Sequence, residues 1–286
     1  MTELKDLNTC VNSNWCPGCG NFGVWTALRQ AIVDLKLDPK NVVLASGIGC
    51  SSQINQWTKT YGFQSLHGRV LPAATGIRLA NTDLKVVVVG GDGDGYGIGM
   101  GHFIHAMRRN LDLTYIVTDN QVYGLTQGQT SPTSLKGYKS KSTPFGVIEE
   151  PANPLELAIS AGATYIARGF AGDLPHLTKL IEEGMSHKGF ALIDVLQPCI
   201  TFNKINTFQY FRDRCYKLED SAHDFSDKCA ALTRASEKWD EKIPTGLFYR
   251  REKPTYEDGE DVIRDKALVK QELGNISINR VYKRFM

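Results

Sequence analysis

The chain has 286 residues and nearly balanced charge, with 33 basic and 31 acidic side chains. It contains no long basic run and no apolar stretch near the ~20 residues of a membrane-spanning helix, so we expect neither nucleic acid nor a membrane as a partner. The N-terminal segment 1–6 is polar and unlike a signal peptide, which predicts a cytoplasmic protein. Seven cysteines in such a protein favour metal binding or redox chemistry over structural disulfides.

The apolar pattern predicts alternating helices and strands up to about residue 200. Helices are predicted at 22–36, 72–82, 99–110, 154–162 and 174–187. Strands are predicted at 42–45, 86–89, 113–118, 164–167 and 191–196. The polar segment 126–152 is predicted to be a long loop, and loops of that length are usually functional. The alternation is typical of an α/β protein with a doubly wound parallel sheet.

The pattern changes from about residue 203. Residues 219–242 are polar and are predicted to be helical, and residues 243–286 are charged without strong periodicity. We therefore divide the chain into a domain at 1–202 and a C-terminal extension at 203–286. The extension is predicted to be a helix followed by an arm lying on a partner subunit, and a frayed surface extension is the alternative.

Oxygen-bearing side chains follow two of the predicted strands. Asp92 lies in the run Gly90–Gly95, and Asn120 follows it 28 residues later. Ligands of doubly wound sheets bind beyond the carboxyl ends of the strands, and glycines let the backbone approach a phosphate. This pattern predicts a magnesium–diphosphate site with Asp92, Asn120 and a main-chain carbonyl of Val122 as ligands. The pattern fits no dinucleotide-binding or Walker loop, and a tight turn without a ligand is the alternative.

Four cysteines lie where strands end or turns begin: Cys16, Cys19, Cys50 and Cys199. Four thiolates suit either a structural zinc ion or a 4Fe-4S cluster, and their spacing does not separate the two. Beside a cofactor that generates a carbanion, a cluster has a function and zinc has none. Cys10 is close enough in sequence to be a rival ligand.

Several motifs together resemble one known family, the β subunits of the 2-oxoacid:ferredoxin oxidoreductases. The resemblance covers about residues 13–200 and reaches Thr245–Arg250, and the segment Lys59–Arg69 is most similar to the 2-oxoglutarate branch of the family. The motifs that carry it are Trp15–Gly20, Gly47–Ser52, His67–Arg69, Gly91–Asp94 and Asp119–Thr126.

The resemblance implies a thiamine-diphosphate-binding fold of the type that holds the diphosphate. It implies Mg²⁺ at Asp92, Asn120 and Val122, and one 4Fe-4S cluster at the four cysteines. Partners would be ferredoxin, CoA, a small 2-oxoacid and an α subunit that bears the pyrimidine-binding domain. Residues expected to contact the cofactor are Gly49, Ser51, Ser52, His67, Gly91, Asp92, Gly93, Asp94, Asn120, Val122, Gly124, Leu125 and Thr126.

The implied reaction is a reversible, CoA-dependent oxidative decarboxylation, with 2-oxoglutarate as the expected substrate. His67 is a candidate for substrate contact or proton transfer, and Arg69 for binding the distal carboxylate. Gln53 and Gln127 stand where many relatives carry a basic residue, and glutamine cannot form an ion pair with a carboxylate or phosphate. The missing charge would then come from Arg69, His67 or the α subunit.

Three alternatives stay open. The substrate could be pyruvate or another 2-oxoacid. A non-redox thiamine-dependent decarboxylase or synthase would use the magnesium motif but leave the four cysteines without a role. A non-enzymatic electron-transfer or zinc subunit would leave the glycine-rich loop without one.

Overall fold

An eight-stranded, mostly parallel sheet forms the centre of the computed structural model, which describes residues 2–239, 241–272, 274 and 278–286. The strands are β1 Val42–Ser46, β2 Tyr61–Gln64, β3 Lys85–Gly91, β4 Thr114–Asp119, β5 Val122–Tyr123, β6 Gln129–Thr130, β7 Tyr165–Phe170, β8 Ala191–Leu196, β9 Cys215–Lys217 and β10 Ile243–Arg250. The main sheet has the order β2-β1-β3-β4-β8-β7-β10-β9, and β5 and β6 form a separate two-stranded ribbon. Strand β10 pairs antiparallel with β7, whereas the other pairs that the described residues form in the main sheet are parallel.

Helices connect and cover these strands. They are α1 Asn21–Asp34, α2 Ile54–Trp57, α3 Val70–Ala80, α4 Met100–Arg109, α5 Pro154–Ala161, α6 Leu174–Ser186, α7 Phe208–Arg214, α8 Lys228–Ala235, α9 Tyr256–Gly259 and α10 Ile278–Tyr282. A π-helical segment, Gly93–Ile98, lies between β3 and α4. No helix in the described ranges is long and apolar enough to cross a membrane.

The sheet is buried on both faces because its strands carry apolar side chains at successive positions. Val86 and Val88 of β3 point into a core that includes residues of α3, α4 and α5. Val87 and Val89 point into the opposite core, which is built with α1 and α6. The predicted α/β class with a mostly parallel sheet is therefore confirmed.

Besides β5, β6 and β10, two short strands at the edges of the main sheet were not predicted from the sequence. Tyr61–Gln64 pairs with β1 at one edge of the sheet, and all four of its residues are exposed. Cys215–Lys217 pairs with β10 at the other edge and is only partly buried. Neither segment shows the apolar alternation or the buried run by which strands are recognised.

The expectation for residues 243–286 was wrong for its first part. Ile243–Arg250 is a strand of the main sheet rather than an arm, and the side chains of Ile243 and Phe248 are fully buried. Residues 219–242 are also less helical than predicted, because the α-helix there spans only Lys228–Ala235. Pro244 and Gly246 lie in this strand, and both residue types are unfavourable inside strands. The segment therefore forms a strand because it pairs with the neighbouring sheet and not because of its own sequence preference. An arm on a partner subunit stays a prediction for the chain after Arg250.

The buried strand generates a stability prediction. Phe248→Ala removes a fully buried aromatic ring from the core and should lower the free energy of unfolding by about 3–5 kcal/mol. Val262→Ala is the control, because Val262 is 58 % exposed and should change stability by no more than about 0.5 kcal/mol. Urea unfolding followed by circular dichroism measures both. Equal, small effects would mean that the segment lies outside the core.

Candidate functional site

The carboxyl ends of four parallel strands bring the predicted site residues to one edge of the sheet. Strands β1, β3, β4 and β8 are neighbours and run in the same direction. The segments that follow them carry Cys50, Asp92, Asn120 and Cys199, respectively. This shared edge was expected from the sequence because each of these residues follows the carboxyl end of a predicted strand.

Asp92 is a deeply buried polar group that directly follows β3. Its Oδ2 accepts hydrogen bonds from Ser131 Oγ at 2.5 Å and from Thr133 Oγ1 at 2.7 Å. Its exposed fraction is 2 %, and burial raises the pKa of its carboxyl group to about 6. A nearby cation would favour the ionised form, so this carboxylate fits the chemistry of a magnesium ligand.

Thr133 joins Asp92 to a second buried carboxyl group. Its Oγ1 lies 2.7 Å from Asp92 Oδ2 and 2.7 Å from Asp119 Oδ1. A hydroxyl group carries a single proton, so one of the two carboxyl groups must supply a proton of its own. Burial, with nearby Asp194 and Asp92, raises the pKa of Asp119 well above its usual range. Both carboxyl groups therefore hold a proton more readily than an exposed aspartate, and a cation near Asp92 would favour its ionised form.

Asp94 holds two loops together beneath the same edge. Its Oδ1 accepts hydrogen bonds from the backbone N–H groups of Ile48 at 3.0 Å and Gly68 at 2.8 Å, and lies 3.0 Å from His67 Nδ1. Its Oδ2 is buried and has no partner among the described residues. A Cβ at Gly47 would lie 1.9 Å from that oxygen, so only glycine fits there. Asp94 thus positions His67, and its expected contact with the cofactor stays a prediction.

Asn120 is oriented from both ends of its side-chain amide. Its Oδ1 accepts a hydrogen bond from the backbone N–H of Val122 at 3.1 Å, and its Nδ2 donates to Gln197 Oε1 at 3.0 Å. The two predicted magnesium ligands of this segment, Asn120 and Val122, are thereby held in one turn. One carboxylate, one amide and one main-chain carbonyl would leave the remaining positions of an octahedral ion to diphosphate and water.

The glycines and serines bring the neighbouring loops close to this turn. A Cβ at Gly93 would lie 2.2 Å from the ring of Tyr123, whose hydroxyl donates to the Gly93 carbonyl. A Cβ at Gly91 would lie 3.7 Å from Ser51 Oγ, and Ser52 Oγ is buried without a partner among the described residues. The loops after β1, β3 and β4 therefore meet around one small region.

The four predicted cluster cysteines line one cavity of about 230 Å³. Gly124 lies beside it, and a Cβ there would be 3.5 Å from Cys199 Sγ and 3.7 Å from Cys50 Sγ. The rival ligand Cys10 is exposed and does not line this cavity. The structure thus brings together Cys16, Cys19, Cys50 and Cys199, which are up to 183 positions apart in sequence.

The thiols of this cavity have the donor set of a metal site. Burial raises the pKa of Cys19 to about 12 and that of Cys50 to about 11, so a metal would have to displace their protons. Four cysteines around one cavity are the ligands that a zinc ion or a 4Fe-4S cluster would take. The cluster stays a prediction.

Three predicted residues lie at the rim of the site. Arg69 is exposed, and its Nη1 donates to the carbonyls of Gly68 at 3.2 Å and Ile98 at 3.4 Å. Leu125 is 50 % exposed, and Thr126 Oγ1 donates to Gln129 Oε1 at 2.6 Å. These positions face outward, where a substrate or a partner subunit would approach.

The sequence analysis missed the side chains that support the predicted ligands: Ser131, Thr133, Asp119 and Gln197. The first two lie in the long polar loop that was recognised as functional, but a serine and a threonine in such a loop carry no specific signal. Asp119 and Gln197 lie next to predicted site residues in the sequence, and no sequence pattern distinguishes them.

Two family models match the chain. One is the thiamine pyrophosphate enzyme, C-terminal TPP binding domain, over residues 44–195. The other is the C-terminal part of the pyruvate ferredoxin oxidoreductase β subunit, over residues 199–265. The first match confirms the predicted thiamine-diphosphate-binding fold.

Individual relatives cover most of the chain. The β subunit of a 2-oxoacid:ferredoxin oxidoreductase from a Sulfolobus species is 50 % identical over 258 residues, which is 86 % of this chain and 85 % of the relative. The 2-oxoglutarate synthase subunit KorB of Methanocaldococcus jannaschii is 38 % identical over 243 residues, 85 % of this chain and 89 % of the relative.

A solved structure is also similar over its whole length. It is the 2-oxoglutarate:ferredoxin oxidoreductase from Magnetococcus marinus with 2-oxoglutarate, coenzyme A and succinyl-CoA bound, at a TM-score of 0.92 and 40 % identity. The match covers 100 % of this chain and 96 % of that chain.

The buried carboxyl group of Asp92 predicts a pH-dependent stability. Its pKa in the folded protein is about 6, against an ordinary value of 3.8, so the folded state holds a proton that the unfolded state releases between these values. Without magnesium, the cofactor-free protein should lose about 2 kcal/mol of stability relative to Asp92→Asn as the pH rises from 4 to 7. Urea unfolding of both proteins across this range measures the difference. Parallel stability curves would contradict the prediction.

Proposed function

Because the chain belongs to the β subunits of the 2-oxoacid:ferredoxin oxidoreductases, we propose that it carries out the CoA-dependent oxidative decarboxylation of 2-oxoglutarate together with an α subunit. The observation that carries this proposal is the shared sheet edge, at which four cysteines and the Asp92–Asn120 pair lie side by side. A site for an electron carrier next to a site for a diphosphate is what thiamine-dependent redox chemistry requires.

Asp92, Asn120 and the Val122 carbonyl would hold Mg²⁺, and Mg²⁺ would hold the diphosphate. Asp92 brings the negative charge, and Ser131 and Thr133 keep its carboxylate in one orientation. The glycines on both sides of Asp92 leave room for phosphate oxygens at the backbone. Gly49, Ser51 and Ser52 lie on the neighbouring loop, from which hydroxyl and backbone N–H groups would reach the same anion.

Cys16, Cys19, Cys50 and Cys199 would hold one 4Fe-4S cluster in the adjoining cavity. Thiamine diphosphate, when bound, would supply the carbanion chemistry of decarboxylation, and a cluster in this cavity would supply one-electron transfer toward ferredoxin. The cavity lies beside Gly124, two residues after Val122. This closeness supports electron transfer between the two groups over a short path.

His67 and Arg69 are the residues that we assign to the substrate. Asp94 fixes Nδ1 of His67, so Nε2 is the ring nitrogen left for a proton or a substrate oxygen. Arg69 is exposed and makes no ion pair within the described ranges, so its guanidinium can bind a carboxylate. A dianion such as 2-oxoglutarate needs a second cationic or hydrogen-bonding contact that pyruvate does not.

The 2-oxoglutarate assignment is supported by the relatives rather than by the site alone. The M. jannaschii relative is named a 2-oxoglutarate synthase subunit, and the M. marinus structure has 2-oxoglutarate and coenzyme A bound. The activity also needs an α subunit in this proposal, because the described residues form no second thiamine-binding domain for the pyrimidine ring. Leu125 and Thr126 at the rim would then face that subunit.

One experiment tests the proposed function. The enzyme is purified without oxygen, together with the subunits that copurify, and assayed for iron, acid-labile sulfide and thiamine diphosphate. Ferredoxin reduction should require both CoA and 2-oxoglutarate, and the isolated chain should be inactive. A preparation with thiamine diphosphate but no iron would instead favour a non-redox decarboxylase, and a preference for pyruvate would overturn the substrate.

Cluster binding predicts a clear difference between the cysteines. Cys199→Ala removes a thiol from the cavity and should abolish the broad visible absorption and most of the iron, since a cluster needs all four thiolates. Cys229→Ala is the matched control, because this exposed cysteine of α8 lies outside the cavity. Iron analysis and absorption spectra of the two variants measure the effect. A fully retained cluster in Cys199→Ala would contradict the assignment.

Arg69 predicts a change in substrate preference. Arg69→Lys keeps the positive charge but removes the planar, two-pronged donor, so kcat/KM should fall about tenfold or more for 2-oxoglutarate and little for pyruvate. Arg108→Lys, exposed at the end of α4, is the matched control and should leave both values unchanged. Steady-state kinetics with each substrate measure the ratio. Equal losses with both substrates would assign Arg69 to the cofactor or to the fold.

A further inference from the structure

One glutamine side chain touches both parts of the site. Gln197 directly follows β8 and is 1 % exposed. Its Nε2 lies 3.5 Å from Cys19 Sγ, a contact that is long but within range for a sulfur acceptor, and 2.9 Å from the carbonyl oxygen of Pro198. Its Oε1 accepts the hydrogen bond from Asn120 Nδ2 at 3.0 Å. The same amide group therefore contacts a proposed cluster ligand and a proposed magnesium ligand.

We propose that Gln197 is a positioning residue that couples the two cofactor sites, by donating a hydrogen bond to the cluster ligand Cys19 and by orienting the magnesium ligand Asn120. The proposal rests on the proposed function, because it needs both the cluster and the magnesium–diphosphate group.

The orientation of the Gln197 amide follows from its neighbours. The Pro198 carbonyl can only accept a hydrogen bond, so the nitrogen end of Gln197 must face it. The oxygen end then faces Asn120 and requires Nδ2 of Asn120 on that side. Oδ1 of Asn120 then points toward the Val122 N–H. It is the side-chain atom of Asn120 that could bind a cation. Gln197 and the Val122 N–H thus set the orientation of the Asn120 amide together, one from each end.

The hydrogen bond to Cys19 would influence the reduction potential of the cluster. Hydrogen bonds to the sulfurs are among the factors that set the reduction potential of a cluster. When the cluster is reduced, negative charge on its sulfur ligands increases, and an N–H donor stabilises that state. The backbone N–H of Asn21 also donates to the Cys19 sulfur, so Gln197 shares this ligand with a second donor.

Packing leaves Gln197 little freedom to move away. A Cβ at Gly20 would lie 2.8 Å from Gln197 Nε2 and 3.0 Å from its Cγ. The glycine next to Cys19 is thus in close contact with the glutamine that binds Cys19. The arrangement ties the turn that carries Cys16 and Cys19 to the end of β8, independently of any cofactor.

Two substitutions at Gln197 separate its two contacts. In Gln197→Leu the new side chain has a similar volume but can neither donate a hydrogen bond to Cys19 nor accept one from Asn120. Gln197→Glu keeps an acceptor for Asn120 but replaces the donor to Cys19 by an oxygen. Thr114→Val is the structural control, because it removes a buried hydrogen bond to the Gly184 carbonyl at the opposite end of β4.

The experiment uses the anaerobically purified holoenzyme. Iron and sulfide content, the midpoint potential from a redox titration followed by electron paramagnetic resonance, and the affinity for thiamine diphosphate with Mg²⁺ are measured for each protein. Gln197→Leu should retain its iron, shift the potential to a more negative value and bind thiamine diphosphate about tenfold more weakly. Gln197→Glu should shift the potential in the same direction with a much smaller loss of affinity, and Thr114→Val should change neither.

The possible failures are distinguishable. If Gln197→Leu changes only the potential or only the affinity, the coupling is overturned, because the proposal requires one amide to act on both sites. Wild-type values for both quantities would overturn it as well. If Gln197→Leu does not fold, Gln197→Glu still decides, since an unchanged potential in that variant contradicts the donor role. A wild-type enzyme without iron would overturn the proposed cluster itself, which the iron assay detects before any variant is compared.

Discussion

The site depends on carboxyl groups that are buried where β3 and β4 end. Asp92, Asp94 and Asp119 are each no more than 2 % exposed, and burial raises the pKa of all three. Three neighbouring charges could not be accommodated there without compensation. Hydroxyl and backbone N–H donors supply this compensation at all three carboxyl groups. A bound cation near Asp92 would complete the compensation, so the fold is more favourable with the ion than without it.

These buried groups also order the loops that surround them. Asp94 joins the loop after β1 to the turn before α3 through Ile48 and Gly68. Asp92 joins the end of β3 to Ser131 and Thr133 in the long loop. A loop rich in small polar residues has little core of its own, and it is ordered here by donating to a carboxylate. The residues that would bind the cofactor therefore also determine the local structure, and substitutions at Asp92 or Asp94 would affect both.

The structure brings the predicted site residues to one edge of the sheet, whereas β2, β9 and β10 of the same sheet were not predicted. The β-branched run at Val86–Val89 and the cysteines at turns carry strong signals, because burial on both faces and metal binding each restrict the residue type. The exposed strand Tyr61–Gln64 and the strand Ile243–Arg250 carry weak ones, since each is formed by pairing with a strand that already exists. Gln197 could not be recognised for a different reason. Its role depends on the two residues that it contacts, and these are 77 and 178 positions away in sequence.

The short segment after β4 makes the two halves of the site interdependent. Asn120 and Val122 are the proposed magnesium ligands, and Gly124 lies against the sulfurs of Cys199 and Cys50. A few residues therefore span the distance between the two proposed cofactor sites, while Gln197 connects them a second time from β8. The segment after β4 and the Gln197 side chain are both held by buried hydrogen bonds. They leave the two sites little freedom to move relative to each other. Because electron transfer between bound groups needs a fixed, short separation, this rigidity is the property that the fold contributes to the proposed chemistry.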